Sequence, residues 1–306
     1  MIETFKPSNG KVRKIDRLSK GCWINVTHPS EEDMAVLKSV MSFPDNFITS
    51  LKDIDELPSI EKYKKSLCII FRTPQKRRVR DEFEYFTIPL GIIITKNYMT
   101  TICFQDNDVM DILKTKKLRF EGKLPIIKLL FVSTKLYLKY LREINKEIYI
   151  TQNRLQKSTK NEEIIKLLEF EKYLVYFSTS LKSNGYLLDK LNKNGTFTHS
   201  EYDKGLIEDI IEENRQALEM TTIYSDILSS TMDAFASVIS NNLNIIMKLL
   251  TSITIVLMIP TLIASVFGMN VDLPFQNSGN AFLMVMAVSF ICSAAAIAIL
   301  WRKKFV

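Results

Sequence analysis

Apolar residues follow three different rhythms along this chain. Up to about residue 115 they gather in short runs rich in β-branched and aromatic side chains: Trp23-Ile24-Asn25-Val26, then "SLCIIFRT", "EFEYFTIPLGIIITK" and "YMTTICFQD", each broken by turn formers. Such runs predict β-strands, the last three forming an antiparallel meander. Between the first strand and the meander, Ser30 with Asp33 resembles a helix-starting capping box. Helical periodicity then carries to about Met41, and a second short helix is expected from Pro44. Strands and helices mixed in this way predict an α/β domain over residues 1–123.

Beyond Lys123-Leu124-Pro125 the rhythm lengthens to that of helices, in "IIKLLFVSTKLYLKYLREINKEIYITQNRLQ" and "EEIIKLLEFEKYLVYFSTSLKSNGYLLDKL", with a break at "LNKNGTFTH". From Leu206 to Ile259 there is neither Gly nor Pro, a run of about 54 residues that spans roughly 80 Å as one helix. A helical region over 124–245 is expected, its stalk helix running from about 200 to 267 and so into the last segment. One helix of that length cannot bury its apolar stripe alone, which implies a long partner or an oligomer.

In the last segment, 246–306, the rhythm disappears into continuous apolar sequence. No charge occurs from Leu249 to Val271, or again from Leu273 to Trp301. Each gap matches the roughly 20 residues a helix needs to cross a hydrocarbon core. Two transmembrane helices are expected, close to 247–267 and 281–301. The opening "MIETFKPSNGKVRKIDRL" lacks the apolar core of a signal peptide. Lys248 precedes the first span and Arg302, Lys303 and Lys304 follow the second, while the connecting segment carries Asp272 and no Lys or Arg. By the positive-inside rule both termini and the α/β domain are expected on the cytoplasmic side of the cell membrane, with "GMNVDLPFQNSGN" outside.

The formal net charge of +7 raises the question of nucleic acid. Most of the basic residues are scattered over helices or stand beside the membrane, where anionic lipid would meet them. The densest run, "KRRVR" at 76–80, falls between two strand-like segments and reads as a solvated hairpin tip. No nucleic-acid partner is expected. Cys22, Cys68, Cys103 and Cys292 are far apart and His28 and His199 are isolated, which speaks against a zinc cluster. Without a Gly-rich phosphate loop, nucleophile elbow or HExxH pair, neither an enzyme nor an organic cofactor is expected.

The chemistry that remains is on the first span. Stepping back from Gly268 by alternating threes and fours gives Ser265, Thr261, Met258, Thr254, Thr251, Met247 and Asn244, one stripe of a helix. Most of these are small or polar, whereas the positions between them are mainly large and aliphatic. In lipid such a stripe is either a helix-packing seam or the lining of a pore made by several copies. Asn270, just past the apolar run, would then give a ring of carboxamide oxygens at the outer mouth.

Gly268-Met269-Asn270, between two C-terminal membrane helices and followed by a basic tail, resembles the GMN signature of the CorA family of magnesium channels. The likeness extends through "SNNLNIIMKLLTSITIVLMIPTLIASVFGMN", which is similar to the family's pore helix at Asn244, Met247, Leu250, Met258 and Thr261, with Pro260 where a proline is common. The order of an α/β domain with "WINV" and "DIDELPSIEKY", antiparallel helices and a long stalk is also similar, so the resemblance covers most of the chain. It departs in the loop, where "VDLPFQNSGN" with Asp272 as its one charge replaces the acidic "MPEL"-like segment of many members.

This resemblance implies a CorA-like homopentamer whose five first-span helices surround a central pore, with Gly268, Met269 and Asn270 as its selectivity filter. Mg²⁺ releases its octahedral waters reluctantly, so Asn270 is expected to accept hydrogen bonds from a largely hydrated ion, with Thr261 and Asn244 repeating that contact deeper in. Met247, Leu250 and Met258 would form apolar rings that close the pore by dewetting, or else pack between helices. The family also implies regulatory Mg²⁺ held between subunits by stalk acids. By position relative to the tripeptide these are Asp209 and Asp233, with Asp81, Glu82 or Glu84 as partners from the α/β domain. Co²⁺ and Ni²⁺ fall within the same expectation through similar hydrated size. The alternatives are a zinc transporter of the same architecture, against which Met269 speaks, and a membrane-anchored scaffold or sensor that moves no ion.

Overall fold

The computed structural model describes residues 1–8, 11–115, 125–157, 161–193, 201–270 and 279–303. They divide into two compact units, Met1–Ser229 and Ser230–Val306.

Unit 1 is built on a sheet of seven strands: β1 (Ile2–Ser8), β2 (Lys11–Lys14), β3 (Cys22–Thr27), β4 (Ser59–Tyr63), β5 (Ser66–Val79), β6 (Glu82–Ile94) and β7 (Tyr98–Cys103). Their order is β2-β1-β3-β7-β6-β5-β4. The meander β5–β6–β7 is antiparallel, and β3 joins it through the one parallel pairing, with β7. Three strands therefore extend what the apolar runs of β3 and the meander suggest: the N-terminal hairpin β1–β2 and the exposed edge strand β4 carry charge at many positions and give a weak strand signal.

The basic run at 76–80 is a correction to the expected hairpin tip. Lys76, Arg77 and Arg78 are strand residues opposite Tyr85, Glu84 and Phe83, and the turn is confined to Arg80 and Asp81, with Arg80 at φ 56. Cross-strand chemistry allows the strand to continue. Arg77 reaches Glu84 at 2.8 Å, and the Lys76 ammonium lies 3.9 Å from the centre of the Phe83 ring.

One face of the sheet is covered by α1 (Glu31–Val40) and α2 (Asp45–Lys52). The capping box is present: the Asp33 N–H donates to the Ser30 hydroxyl at 3.1 Å and the Ser30 N–H to the Asp33 carboxylate at 3.0 Å. Leu37, Phe47 and Leu51 pack from these helices onto Ile24, Val26, Ile70, Ile93 and Ile102. At Gly91 the approach is so close that a Cβ would stand 2.3 Å from Leu51 Cδ1, so any side chain there would force Leu51 of α2 to shift.

The other face receives α3 (Asp108–Thr115), α4 (Pro125–Lys157) and α5 (Asn161–Lys193). Its central joint lies where β4 runs out: β4 pairs with β5 only as far as Ser59 opposite Ile70, which leaves the backbone of Arg72 on that edge without a strand neighbour. Asn184 of α5 completes the edge: its Oδ1 accepts from the Arg72 N–H at 3.1 Å and its Nδ2 donates to the Arg72 carbonyl at 2.8 Å. The Tyr137 hydroxyl of α4 donates to the same carbonyl at 3.1 Å. The buried Arg72 guanidinium is satisfied by Thr87, Ser180 and the carbonyls of Ile54 and Glu56.

The helix α6 (Glu201–Phe267) is continuous and contains Pro260. In unit 1 it buries Asp203, Ile207, Ile210, Asn214, Ala217, Thr221 and Leu228, the three-and-four spacing of one helix stripe. Unit 2 contains the rest of α6 and α7 (Ala281–Arg302). Both helices are long and apolar enough to cross a membrane, and almost nothing of their apolar windows is buried within the chain.

Candidate ion pathway

The membrane stretch of α6 shows two faces. The covered or partly covered positions are Ser252, Val256, Ile259, Pro260 and Ile263, and on α7 they are Ala281, Val285, Ser289, Ser293, Ala296 and Leu300. Small residues predominate in the α7 stripe, as in membrane helix seams. Ser252 donates to the Lys248 carbonyl and Ser289 to the Val285 carbonyl, both at 2.8 Å, so each hydroxyl enters an apolar seam with its proton already placed. The helices meet loosely, leaving a cleft of about 610 Å³ lined by Pro260, Ala264, Phe267 and Gly268 on one side and Phe282 and Ser289 on the other.

The stripe read from the sequence occupies a different face. Asn244, Met247, Thr251, Thr254, Met258, Thr261, Ser265 and Gly268 are all exposed in the single chain, as is Leu250 beside them. At 3.6 residues per turn the stripe centred on Thr254 and Met258 lies roughly 130° around α6 from the one centred on Ser252 and Ile259. The polar stripe is thus not the seam between the chain's own two spans.

Local hydrogen bonding sets the polarity of that stripe. Thr254 donates to the Leu250 carbonyl at 2.9 Å and Thr261 to the Leu257 carbonyl at 3.0 Å. Each hydroxyl proton is spent on the helix, so what remains on the oxygen is acceptor capacity. Acceptors are what the outward-pointing hydrogens of a hydrated cation require.

At the end of α6 the backbone tightens. The Gly268 N–H donates to the Ala264 carbonyl at 2.9 Å, and the Met269 N–H reaches the Val266 carbonyl at 3.3 Å, an i→i−3 closure. Asn270 follows immediately and is exposed. The last carbonyls of a helix carry a partial negative charge equivalent to about half an electron. A carboxamide beside them adds further oxygen without a full charge. Asp272 lies outside the described residues.

A model of the family described as "CorA-like Mg2+ transporter protein" matches residues 19–304 of this sequence. The chain belongs to the CorA-like family. It is 27% identical over 288 residues to the "Cobalt/magnesium transport protein CorA" of Methanocaldococcus jannaschii, covering 90% of this chain and 89% of that one. Against the "Magnesium transport protein CorA" of Helicobacter pylori strain J99 it is 24% identical over 286 residues, with 88% and 86% covered. The complete structure of the M. jannaschii CorA magnesium transporter superposes with a TM-score of 0.85 at 25% identity, covering 100% of this chain and 99% of that one. The α/β domain, the long helix and the two apolar C-terminal helices are those of a CorA-like fold.

The acids expected to regulate a CorA-like protein are not assembled within one chain. Asp209 and Asp233 are both exposed, on well separated turns of α6. Among the described residues no three His, Cys, Asp or Glu side chains converge to hold a metal ion. The three candidate partners in the α/β domain are already engaged: Asp81 with Arg78 at 3.4 Å, Glu82 with Lys166 at 2.5 Å and Glu84 with Arg77 at 2.8 Å. What sequence reasoning missed is the seam at Ser252, Ser289 and Ser293. Its signal was present on α7, where small residues recur near every fourth position.

Proposed function

We propose that this chain is a passive channel for divalent cations, Mg²⁺ first with Co²⁺ and Ni²⁺ also admitted, formed by five copies around the polar stripe of α6. The observation that carries the reading is the stripe itself: a row of exposed acceptors, turned away from the chain's other span, that ends at Gly268-Met269-Asn270. The relatives' names support Mg²⁺ and Co²⁺ as the cargo.

In this mechanism the ion enters hydrated. Asn270 carboxamides and the helix C-termini hold its first-shell waters at the mouth; Thr261, Thr254 and Asn244 accept from them further along. Mg²⁺ keeps its waters because nothing in the stripe carries the charge needed to replace them. Met247, Leu250 and Met258 narrow the path with apolar side chains, so that removing water closes it. With the cytoplasm negative, a divalent ion gains about 4–5 kcal/mol per 100 mV on entry, and no nucleotide is needed. Both termini and unit 1 face the cytoplasm in this reading, and the cell membrane holds α6 and α7. Cytoplasmic Mg²⁺ between the Asp209 and Asp233 carboxylates of neighbouring copies shuts the pore by cancelling their repulsion.

The test is Mg²⁺ uptake into proteoliposomes under an inside-negative potential, wild type beside Asn270→Ala. Uptake that is lost in a variant still assembled as the wild type supports the channel. Zn²⁺ uptake without Mg²⁺ uptake would favour the zinc alternative, and no uptake of either ion the scaffold.

A further inference from the structure

Where the β5–β6 hairpin meets α4 and α5 in unit 1, the structure leaves a cleft of about 360 Å³, within the range of about 300–1,000 Å³ typical of small-molecule sites. Its walls are aromatic. Tyr85 and Tyr173 meet edge to face with centroids 5.8 Å apart, Phe170 packs on Tyr173, and Phe83 closes the hairpin side. Carboxylates come from separate elements: Glu82 from β6, Glu143 and Glu147 from successive turns of α4, and Glu169 from α5.

Some of that charge is already used. Lys166 holds Glu82 at 2.5 Å, while Glu143 takes Lys76 at 2.6 Å and the Tyr85 hydroxyl at 3.1 Å. Glu147 and Glu169 have no ion-pair or hydrogen-bond partner among the described residues. Lys146, exposed on the rim, is the remaining lysine of the lining. With Asp81 included, the carboxylates outnumber the lysines.

Tyr173 is the observation that points to a ligand. The residue is only 8% exposed, its hydroxyl has no protein hydrogen-bond partner among the described residues, and that hydroxyl is the part of it open to the cleft. Burial, with Glu169, Glu84 and Glu82 nearby, pushes the phenol up to about 12. The hydroxyl therefore stays neutral, and its oxygen offers lone pairs inside an acidic, aromatic-walled cavity.

Those features select the chemistry of the occupant. An anion would meet excess carboxylate. A single metal ion lacks a converging ligand set among the described residues. An ammonium group suits aromatic faces, carboxylates and a phenol oxygen together, and carboxylates spread over three elements suit a ligand carrying more than one. We propose that this cleft binds a linear aliphatic diamine or polyamine. Its ammonium groups sit at Glu147 and Glu169, its methylenes lie along Tyr85 and Phe170, and the Tyr173 oxygen accepts an N–H. The site belongs to unit 1 and does not depend on the pore being open.

The experiment is calorimetric titration of the full-length protein in detergent with 1,4-diaminobutane and with spermidine, at constant ionic strength. Saturable binding is expected, weakened at least about tenfold in the Glu147→Gln/Glu169→Gln double variant and about threefold in Tyr173→Phe, the scale of lost charge-assisted hydrogen bonds. Apparent melting temperatures of the variants without ligand should match the wild type, and butylamine, with one ammonium, should bind at least about tenfold more weakly than the diamine. No binding to the wild type, equal binding to the double variant, or butylamine as tight as the diamine would each overturn the proposal. So would displacement by MgCl₂ beyond that caused by NaCl of equal ionic strength, which would make the cleft a site of general cation screening.

Discussion

The two parts of α6 bury their side chains in opposite ways. Between Asp203 and Leu228 the helix presents one stripe to the rest of unit 1 and hides it completely, Ile210, Ala217, Thr221 and Leu228 being wholly inaccessible. From Ser230 to Phe267 in unit 2 only Ser252 is buried, and large apolar residues such as Leu257, Met258 and Leu262 are more than 60% exposed. The first part is finished by its own chain. In the proposed channel the second is finished by lipid and by other copies, so there its side chains answer to function before they answer to the stability of one chain. Substitutions in unit 1 should therefore be read in melting, and substitutions on the polar stripe of unit 2 in ion flux.

The largest effect is expected at Asn184, because it satisfies the edge of β5 where β4 has ended. Asn184→Leu leaves the Arg72 N–H without an acceptor and its carbonyl with only Tyr137. An orphaned buried N–H costs about 1–3 kcal/mol and the lost carbonyl bond about 1 more. We expect roughly 3 kcal/mol of destabilisation, seen as a marked fall in apparent melting temperature with expression of little full-length protein. A melting curve like that of the wild type would mean that α5 does not complete this edge of β5.

Next comes Asn270→Ala, the opposite signature. In the proposed pore, loss of the carboxamide ring removes two or three hydrogen bonds to the hydrated ion, each worth about 1 kcal/mol, so Mg²⁺ uptake should fall roughly 100-fold. Melting temperature and elution volume should not move. If uptake and melting fell together, the contrast between the two parts of the chain would fail at this residue.

A smaller effect in unit 1 tests the capping box. Ser30→Ala removes the acceptor for the Asp33 N–H at the start of α1, a loss of about 1 kcal/mol. The apparent melting temperature should drop by a few degrees while uptake per assembled protein stays unchanged.

How much of this could be read from the residues depended on where the information lies. Ser30 and Asp33 announce α1 because a cap is a local matter, and β5 to β7 announce themselves because their buried faces are rich in Ile and Phe. The parallel pairing of β3 with β7 is a tertiary decision that neither strand encodes alone. The run Lys76-Arg77-Arg78 looked like a turn because its partners, Phe83 and Glu84, lie across the hairpin and only there offset the charge. For the proposed ion pathway, the motif Gly268-Met269-Asn270 and the three-and-four stripe could be read from the residues, and the structure adds that both are exposed in the single chain. Which face of α6 meets α7 could not be read, since a helix that is apolar nearly all round gives its partner no preferred side, and the small residues on α7 were the remaining clue.

The finest test of the contrast is Thr261→Val, which keeps the shape of the side chain and removes its oxygen. In the structure the Thr261 hydroxyl donates to the Leu257 carbonyl at 3.0 Å, and the residue is otherwise exposed. Losing the bond to its own helix changes little, because that carbonyl already belongs to the helical ladder and the hydroxyl bond is an addition to it. Valine is also no less at home in hydrocarbon than threonine, so a role confined to lipid contact or packing predicts unchanged uptake and equal or higher melting temperature. A role as acceptor for a passing hydration shell predicts otherwise: about 0.5–1 kcal/mol lost at the ion, hence a roughly two- to fivefold fall in Mg²⁺ uptake with melting unchanged. Thr261→Ser, which restores the oxygen without the methyl group, should recover most of the flux. Recovery by serine assigns the effect to the oxygen; equal flux in valine and threonine assigns Thr261 to packing and shortens the proposed pathway to its outer mouth.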